Sequence, residues 1–126
     1  MKNRLMKSIS GIRGIVGDSL TPDIVLQYSS AFGLMSNRGK IVVGRDSRTS
    51  GKMFEDIVIS GLMSVGCDVV KVGVCPTPTV QYMVEKLNAA GGIAITASHN
   101  PVEWNALKLI GREGIFLNEK DWRVMS

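Results

Sequence analysis

Three short apolar runs, at 40–44 (KIVVG), 68–74 (DVVKVGV) and 91–96 (GGIAIT), alternate with two stretches whose apolar residues recur at helical spacing. No other feature constrains the fold as much. Runs of this length, rich in Val and Ile, suit buried strands. Between them, Phe54, Ile57, Val58, Leu62 and Val65, and then Val80, Met83, Val84 and Leu87, each mark one stripe of a helix. Strand, helix, strand, helix, strand predicts an α/β layer with mainly parallel pairing.

Punctuation sets the boundaries. A helix ahead of the first run has Thr21 placed to cap it, Pro22 suited to its first position and Asp23 complementing its dipole. Ile24, Val25, Tyr28, Phe32 and Met35 keep its period until NRG at 37–39 supplies a stop. The second helix is expected from about Ser50 to Gly66, and the third from a Thr77 cap, with Pro78 in first position, to near Asn88. Gly91 and Gly92 let the last strand approach its neighbours closely. Beyond it, ALKLI at 106–110 and IFL at 115–117 flank GREG and read as a hairpin. Asn118 caps a final helix that has barely begun at Ser126, so the expectation is an excised part of a longer polypeptide.

Composition narrows the classes of function. The 126 residues, 44% hydrophobic and 21% charged, fit one domain over 1–126 with a real core. A net charge of +4 suits an anionic ligand. Lys7, Arg13, Arg38, Lys40, Arg45, Arg48 and Lys52 are scattered without interleaved aromatics, which disfavours nucleic acid. Cys67 and Cys75 have no second pair and no histidine nearby, so reduced, buried thiols are expected in place of a zinc cluster or disulfide framework. No apolar run is long enough to span a bilayer, and the basic start is interrupted by glycines and Arg13, unlike a secretory signal. A cytoplasmic protein is the expectation.

In open α/β sheets ligands gather beyond the carboxyl ends of the strands. That rule brings GRDSR, CPTPT and ASHNP to one edge, with Arg45, Arg48 and Arg13 able to reach the same space. His99, the single histidine of the chain, lies in the third loop between Ser98 and Asn100. Acyl-transfer chemistry fits poorly: adjacent side chains in an extended segment point apart, and the Gly-x-Ser-x-Gly elbow is absent around Ser98. A serine that carries a phosphoryl group wants cations and donors for three oxygens. Lys108, with Asn100 and Asn105 before it, meets that need better.

TASHNPVEWNALK, at 96–108, closely resembles the active-site serine loop of the α-D-phosphohexomutases, the phosphoglucomutase/phosphomannomutase family. The family pattern is Thr-Ala/Gly-Ser-His-Asn-Pro followed by Asn-Gly-x-Lys. SGIRGIVG at 10–17 is similar to the family's N-terminal Arg-Gly strand, and VGRDSRTSG at 43–51 to its second signature, in the family's order. The resemblance implies the family's first domain: three layers, α/β/α, around a small mixed, mainly parallel sheet whose antiparallel part is the hairpin.

By that resemblance Ser98 is the phosphoserine that donates and recovers the phosphoryl group, and Lys108 lies near the transferring phosphate and assists proton transfer. His99 and Asn100 shape and hydrogen-bond the site, Arg13 reaches the catalytic cleft, and Arg45, Asp46 and Arg48 support the loop. Ala106 stands where the pattern has glycine, and alanine lacks glycine's freedom at positive φ, so a different backbone is expected there. The implied metal is Mg2+, touching Ser98 through its phosphate. Its other ligands belong to an Asp-Gly-Asp-x-Asp loop of a later domain, which this sequence lacks. A hexose 1,6-bisphosphate is the implied activator, and a phosphohexose and the remaining domains of the parent chain are the implied partners, with no nucleic acid and no membrane. The family uses glucose, mannose, glucosamine and N-acetylglucosamine phosphates, and the residues that discriminate them lie outside this chain. The 126 residues alone are expected to be inactive. A non-catalytic phosphosugar-binding or phosphate-binding module is the alternative, and a weakly basic nucleic-acid binder a third reading.

Overall fold

The computed structural model describes residues 5–8, 11–96, 101 and 103–117. An antiparallel pair, β1 (Met6–Ser8) and β2 (Gly11–Ile15), comes first. It is followed by α1 (Pro22–Met35), β3 (Lys40–Arg45), α2 (Gly51–Ser64), β4 (Asp68–Val74), α3 (Thr77–Lys86), β5 (Gly91–Ile95) and β6 (Trp104–Gly111). Among the described residues, six strands form one sheet in the order β1-β2-β6-β5-β3-β4.

β3 lies between the strands that its two neighbouring crossovers reach. α2 leads outward to β4 and α3 leads back past β3 to β5, so right-handed connections must put the two helices on opposite faces. The alternation along the strands agrees. Ile41, Val43, Ile93, Ile95, Leu107 and Leu109 face Phe54, Val58 and Leu62 of α2 and Val25 and Phe32 of α1. Val42, Ala94 and Ile110 face Val80 and Val84 of α3. Each fully buried Leu, Ile, Val or Phe contributes about 1.5–3 kcal/mol of transfer free energy, so burial against the sheet, more than helix propensity, holds these helices.

The mixed, three-layer architecture is the expected one. Its parallel part is confined to β4, β3 and β5, whereas β5–β6, β6–β2 and β2–β1 are antiparallel. The balance shifts because β6 returns directly beside β5 and recruits the N-terminal pair on its other edge. The expected hairpin partner of β6 shrinks to a single bridge, Ile110 with Phe116, closed by Gly111 N donating to Ile115 O at 2.8 Å.

Helix boundaries follow local chemistry with two corrections. Thr21 caps α1, its hydroxyl accepting from Ile24 N at 3.4 Å, and Asn37 and Arg38 end it in the left-handed region. Its buried positions are Val25, Ser29, Phe32 and Gly33, rotated from the apolar stripe because α2 crosses over the small residues. A Cβ on Gly61 of α2 would sit 3.0 Å from the Ser29 Cβ. At α3 the N-cap is Pro76 and Thr77 is the first helical residue, so the expected cap is displaced by one and makes no side-chain cap bond. The close approaches expected at Gly91 and Gly92 are present: added Cβ atoms would lie 2.8 Å from Phe32 Cζ and 2.7 Å from Val84 Cγ2. Both cysteines are free thiols, Cys67 buried and Cys75 half-buried. No helix among the described residues is long and apolar enough to cross a membrane. The helix expected after Asn118 lies outside the described residues.

Candidate active site

β3, β4 and β5 run in parallel, so the chain leaves all three at one edge of the sheet. There the loops after β3 and β4 border an open cleft of about 940 Å³, with Arg48, Thr77, Pro78, Thr96, Lys108 and Phe116 among its walls. The N-terminal end of α3 borders it and adds the positive end of a helix dipole.

Asp46 organises the edge. Its N–H donates to Ile95 O at 3.0 Å, tying the exit of β3 to the end of β5. Its carboxylate accepts from Arg48 N at 3.1 Å on Oδ1, and from Arg48 Nε at 3.1 Å and Thr96 Oγ1 at 2.9 Å on Oδ2. Arg48 Nη1 in turn donates to the carbonyls of Pro101 at 2.7 Å and Trp104 at 3.4 Å. One ion pair therefore grips both stems of the segment 97–100, at Thr96 on entry and Pro101 on exit. Just beyond, Asn105 Nδ2 donates to Ser50 Oγ at 2.8 Å, which fastens β6 to the start of α2.

With side chains only 13% and 24% exposed, Arg48 and Asp46 are better shielded than an ordinary surface pair. Asp46→Asn removes the charge and turns an NH2 group toward donors, so we expect it to destabilise the protein by about 1–3 kcal/mol. Equilibrium unfolding of the parent protein reads this directly, and an unchanged midpoint would contradict the clamp.

Ser98, His99 and Asn100 lie outside the described residues. Lys108 is half-buried, paired with Ala94 on β5 and Gly11 on β2 and so on the α3 face of the sheet. Arg13 is exposed and paired with Ala106, which puts it on that same face. Neither cation makes an ion pair among the described residues. Ala106 sits in regular strand, buried, its carbonyl accepting from Thr96 N at 3.0 Å, and it is not among the residues with positive φ. The altered backbone expected there is absent, and Lys108 keeps its register.

Among the described residues no group of three His, Cys, Asp or Glu could hold a metal ion. Asp46, the carboxylate bonded to Thr96 at the entry stem, is already committed to three donors. These residues do not compose a magnesium site.

Cys75 also borders the cleft, and burial pushes its thiol above the ordinary cysteine range. A raised value leaves less thiolate at any given pH, and the thiolate is the reactive form. Alkylation of Cys75 in the folded protein should therefore have its pH midpoint above that of the same reaction after unfolding. Coincident midpoints would contradict the burial effect.

Glu55 escaped the sequence reading. It occupies the buried face of α2 beside Phe54 and one turn before Val58, fully buried, and pairs with Arg45 Nε at 3.3 Å. The available signal was a carboxylate within an apolar stripe, a position that needs a cation from elsewhere in the fold.

The fold and cleft define an α/β/α domain whose parallel-strand edge carries a clamped polar loop flanked by cations. The chain belongs to the phosphoglucomutase/phosphomannomutase family: the family model of its alpha/beta/alpha domain I matches residues 4–123. It is similar to a phosphoglucomutase/phosphomannomutase of Thermococcus kodakarensis, 47% identical over 115 residues that cover 87% of this chain and 25% of that protein. A phosphoglucosamine mutase of Clostridioides difficile is 45% identical over 114 residues, covering 87% of this chain and 25% of that protein. Among solved structures, a putative phosphomannomutase from Thermus thermophilus superposes with a TM-score of 0.88 at 28% identity, covering 99% of this chain and 30% of that one. The chain thus spans about a quarter of the length of the curated relatives it matches.

Proposed function

We propose that this chain is the N-terminal, phosphoserine-bearing domain of a phosphohexomutase that interconverts hexose 1-phosphate and hexose 6-phosphate. The observation that carries the reading is the Asp46–Arg48 pair closing on both stems of 97–100, beside a cleft that Lys108 lines. A group that must hand a phosphoryl to a sugar and take another back needs a fixed origin, since positioning and electrostatics supply most of phosphoryl-transfer catalysis.

In the forward half-reaction a free sugar hydroxyl attacks the phosphorus on Ser98. The new O–P bond forms as the Oγ–P bond breaks; the sugar hydroxyl gives up its proton and Ser98 Oγ gains one. The bisphosphorylated sugar then reorients and returns its other phosphate to Ser98 by the reverse step. Lys108 donates to the oxygens of the moving phosphoryl group and assists the proton transfer. Arg13, exposed on the same sheet face though not among the residues lining the cleft, is assigned to reach toward it, and His99 and Asn100 are assigned to shape and hydrogen-bond the loop. Magnesium supplies charge neutralisation at the Ser98 phosphate when bound, with its protein ligands assigned to the remaining domains. Those domains also complete the sugar site, so the 126 residues alone are inactive. The two free thiols fit a reducing compartment, and we place the parent in the cytoplasm.

The test is a mutase assay of the full-length parent with the 1-phosphates of glucose, mannose, glucosamine and N-acetylglucosamine, supplied with magnesium and a hexose 1,6-bisphosphate. Conversion of at least one to its 6-phosphate is expected. Saturable phosphosugar binding with no conversion of any would overturn the reading in favour of a non-catalytic binding module.

A further inference from the structure

Glu55 is a fully buried carboxylate that lies outside the Asp46–Arg48 clamp, and its environment is unusual. Oε1 takes Arg45 Nε at 3.3 Å and Lys71 Nζ at 3.6 Å, while Oε2 has no hydrogen-bond partner among the described residues. Leaving a buried acceptor unmatched is costly, and a carboxylate held by one oxygen is poor value as a purely structural device. What distinguishes Glu55 is where its cation leads. Arg45 is the last residue of β3, and while its Nε binds Glu55, its Nη1 donates to the Asp46 carbonyl at 3.2 Å. The Asp46 side chain then holds Thr96 and Arg48, and Arg48 holds Pro101.

An unbroken series of polar contacts therefore runs from the interior of α2 to both stems of the segment 97–100. We propose that Glu55 is a positioning residue: it locks the Arg45 guanidinium, which sets the Asp46 backbone and, through the clamp, the loop that carries Ser98. The inference rests on the phosphoserine reading for its consequence in catalysis, though not for its effect on the stems. Glu55 touches no reacting atom. Arg45 must be a planar fork for this to work, because a single ammonium cannot reach the Glu55 carboxylate and the Asp46 carbonyl with the same geometry.

The experiment compares Glu55→Gln and Arg45→Lys with wild type in the full-length parent, by steady-state kinetics and by amide hydrogen exchange. Two stem amides report on the loop: Thr96 N, bonded to Ala106 O at 3.0 Å, and Trp104 N, bonded to Pro101 O at 2.9 Å. In Glu55→Gln we expect kcat to fall about tenfold or more with KM held within about twofold, since a misplaced phosphoryl carrier slows transfer without weakening sugar binding. Exchange at the two stem amides should rise about tenfold while amides of α1 and the centre of β3 keep their protection. Arg45→Lys, which keeps a cation beside Glu55 and so spares the fold, should reproduce both changes. A wild-type kcat in either folded variant would overturn the inference. So would an exchange increase of equal size throughout the domain, the mark of simple destabilisation. If the wild-type parent itself shows no turnover, the phosphoserine reading fails, and stem exchange alone still decides whether Glu55 holds the loop.

Discussion

Ser98→Ala in the full-length parent should lower mutase turnover by about 10³-fold or more, as loss of a covalent nucleophile does in other enzymes. The argument is chemical before it is structural. Phosphoryl transfer through the enzyme needs an oxygen that can hold phosphorus between the two half-reactions, and alanine has none. The described core is built from Phe32, Phe54, Leu62, Ile93, Ile95 and Leu107 on one face and Val80, Val84 and Ile110 on the other, so removing this hydroxyl takes no apolar area from it. The unfolding midpoint should stay at the wild-type value, which separates the loss of chemistry from a loss of fold. Turnover at the wild-type rate in the folded variant would refute the assignment of Ser98.

Lys108→Ala should be the next largest change, a fall in kcat of about 10²-fold at unchanged stability within about 1 kcal/mol. β6 projects Lys108 from between β5 and β2, at the register of Ala94 and Gly11, on the face where the cleft opens. It has no ion-pair partner among the described residues, so its ammonium is available to a phosphate. The register also explains why the strand is intolerant nearby. Gly11 adopts φ +149, and an added Cβ there would overlap the Leu107 carbonyl, so β2 can lie this close to Lys108 only with glycine at that position. Lys108→Arg, which keeps the charge but not the compact head group, should recover part of the lost rate. An unaltered kcat in Lys108→Ala would remove it from the transfer step.

The parts of the fold legible in the sequence were those with local causes. α1 announced itself through Thr21, Pro22 and Asp23, and β4 through the run 68–74, whose observed bounds are those expected. Pairings fixed by distant partners were not readable. β6 joins β5 to β2 across the middle of the sheet, and nothing within 104–111 specifies residues 11–15 as the other neighbour. The helix faces show the same limit: Ser29 and Gly33 are core positions of α1 because α2 crosses there, yet small residues add nothing to an apolar stripe.

The candidate site divides along the same line. Ser98, His99, Asn100 and Lys108 stood out as residue types in a motif, and the resemblance gave Arg45, Asp46 and Arg48 a supporting role. The route of that support, from Asp46 to Thr96 and from Arg48 to Pro101, joins residues about fifty positions apart and exists only once β3 and β5 are adjacent. Glu55 did carry a local signal, a carboxylate on the apolar stripe of α2, but the cation it needs arrives only when the fold sets it against the end of β3.

The most direct test of the account is a peptide mass map of the full-length parent after exposure to glucose 1,6-bisphosphate and magnesium, read on the tryptic fragment 87–108. The account predicts a single added phosphate, localised to Ser98. An unmodified Ser98 in folded, metal-loaded protein would contradict it, leaving the family's fold without the family's chemistry.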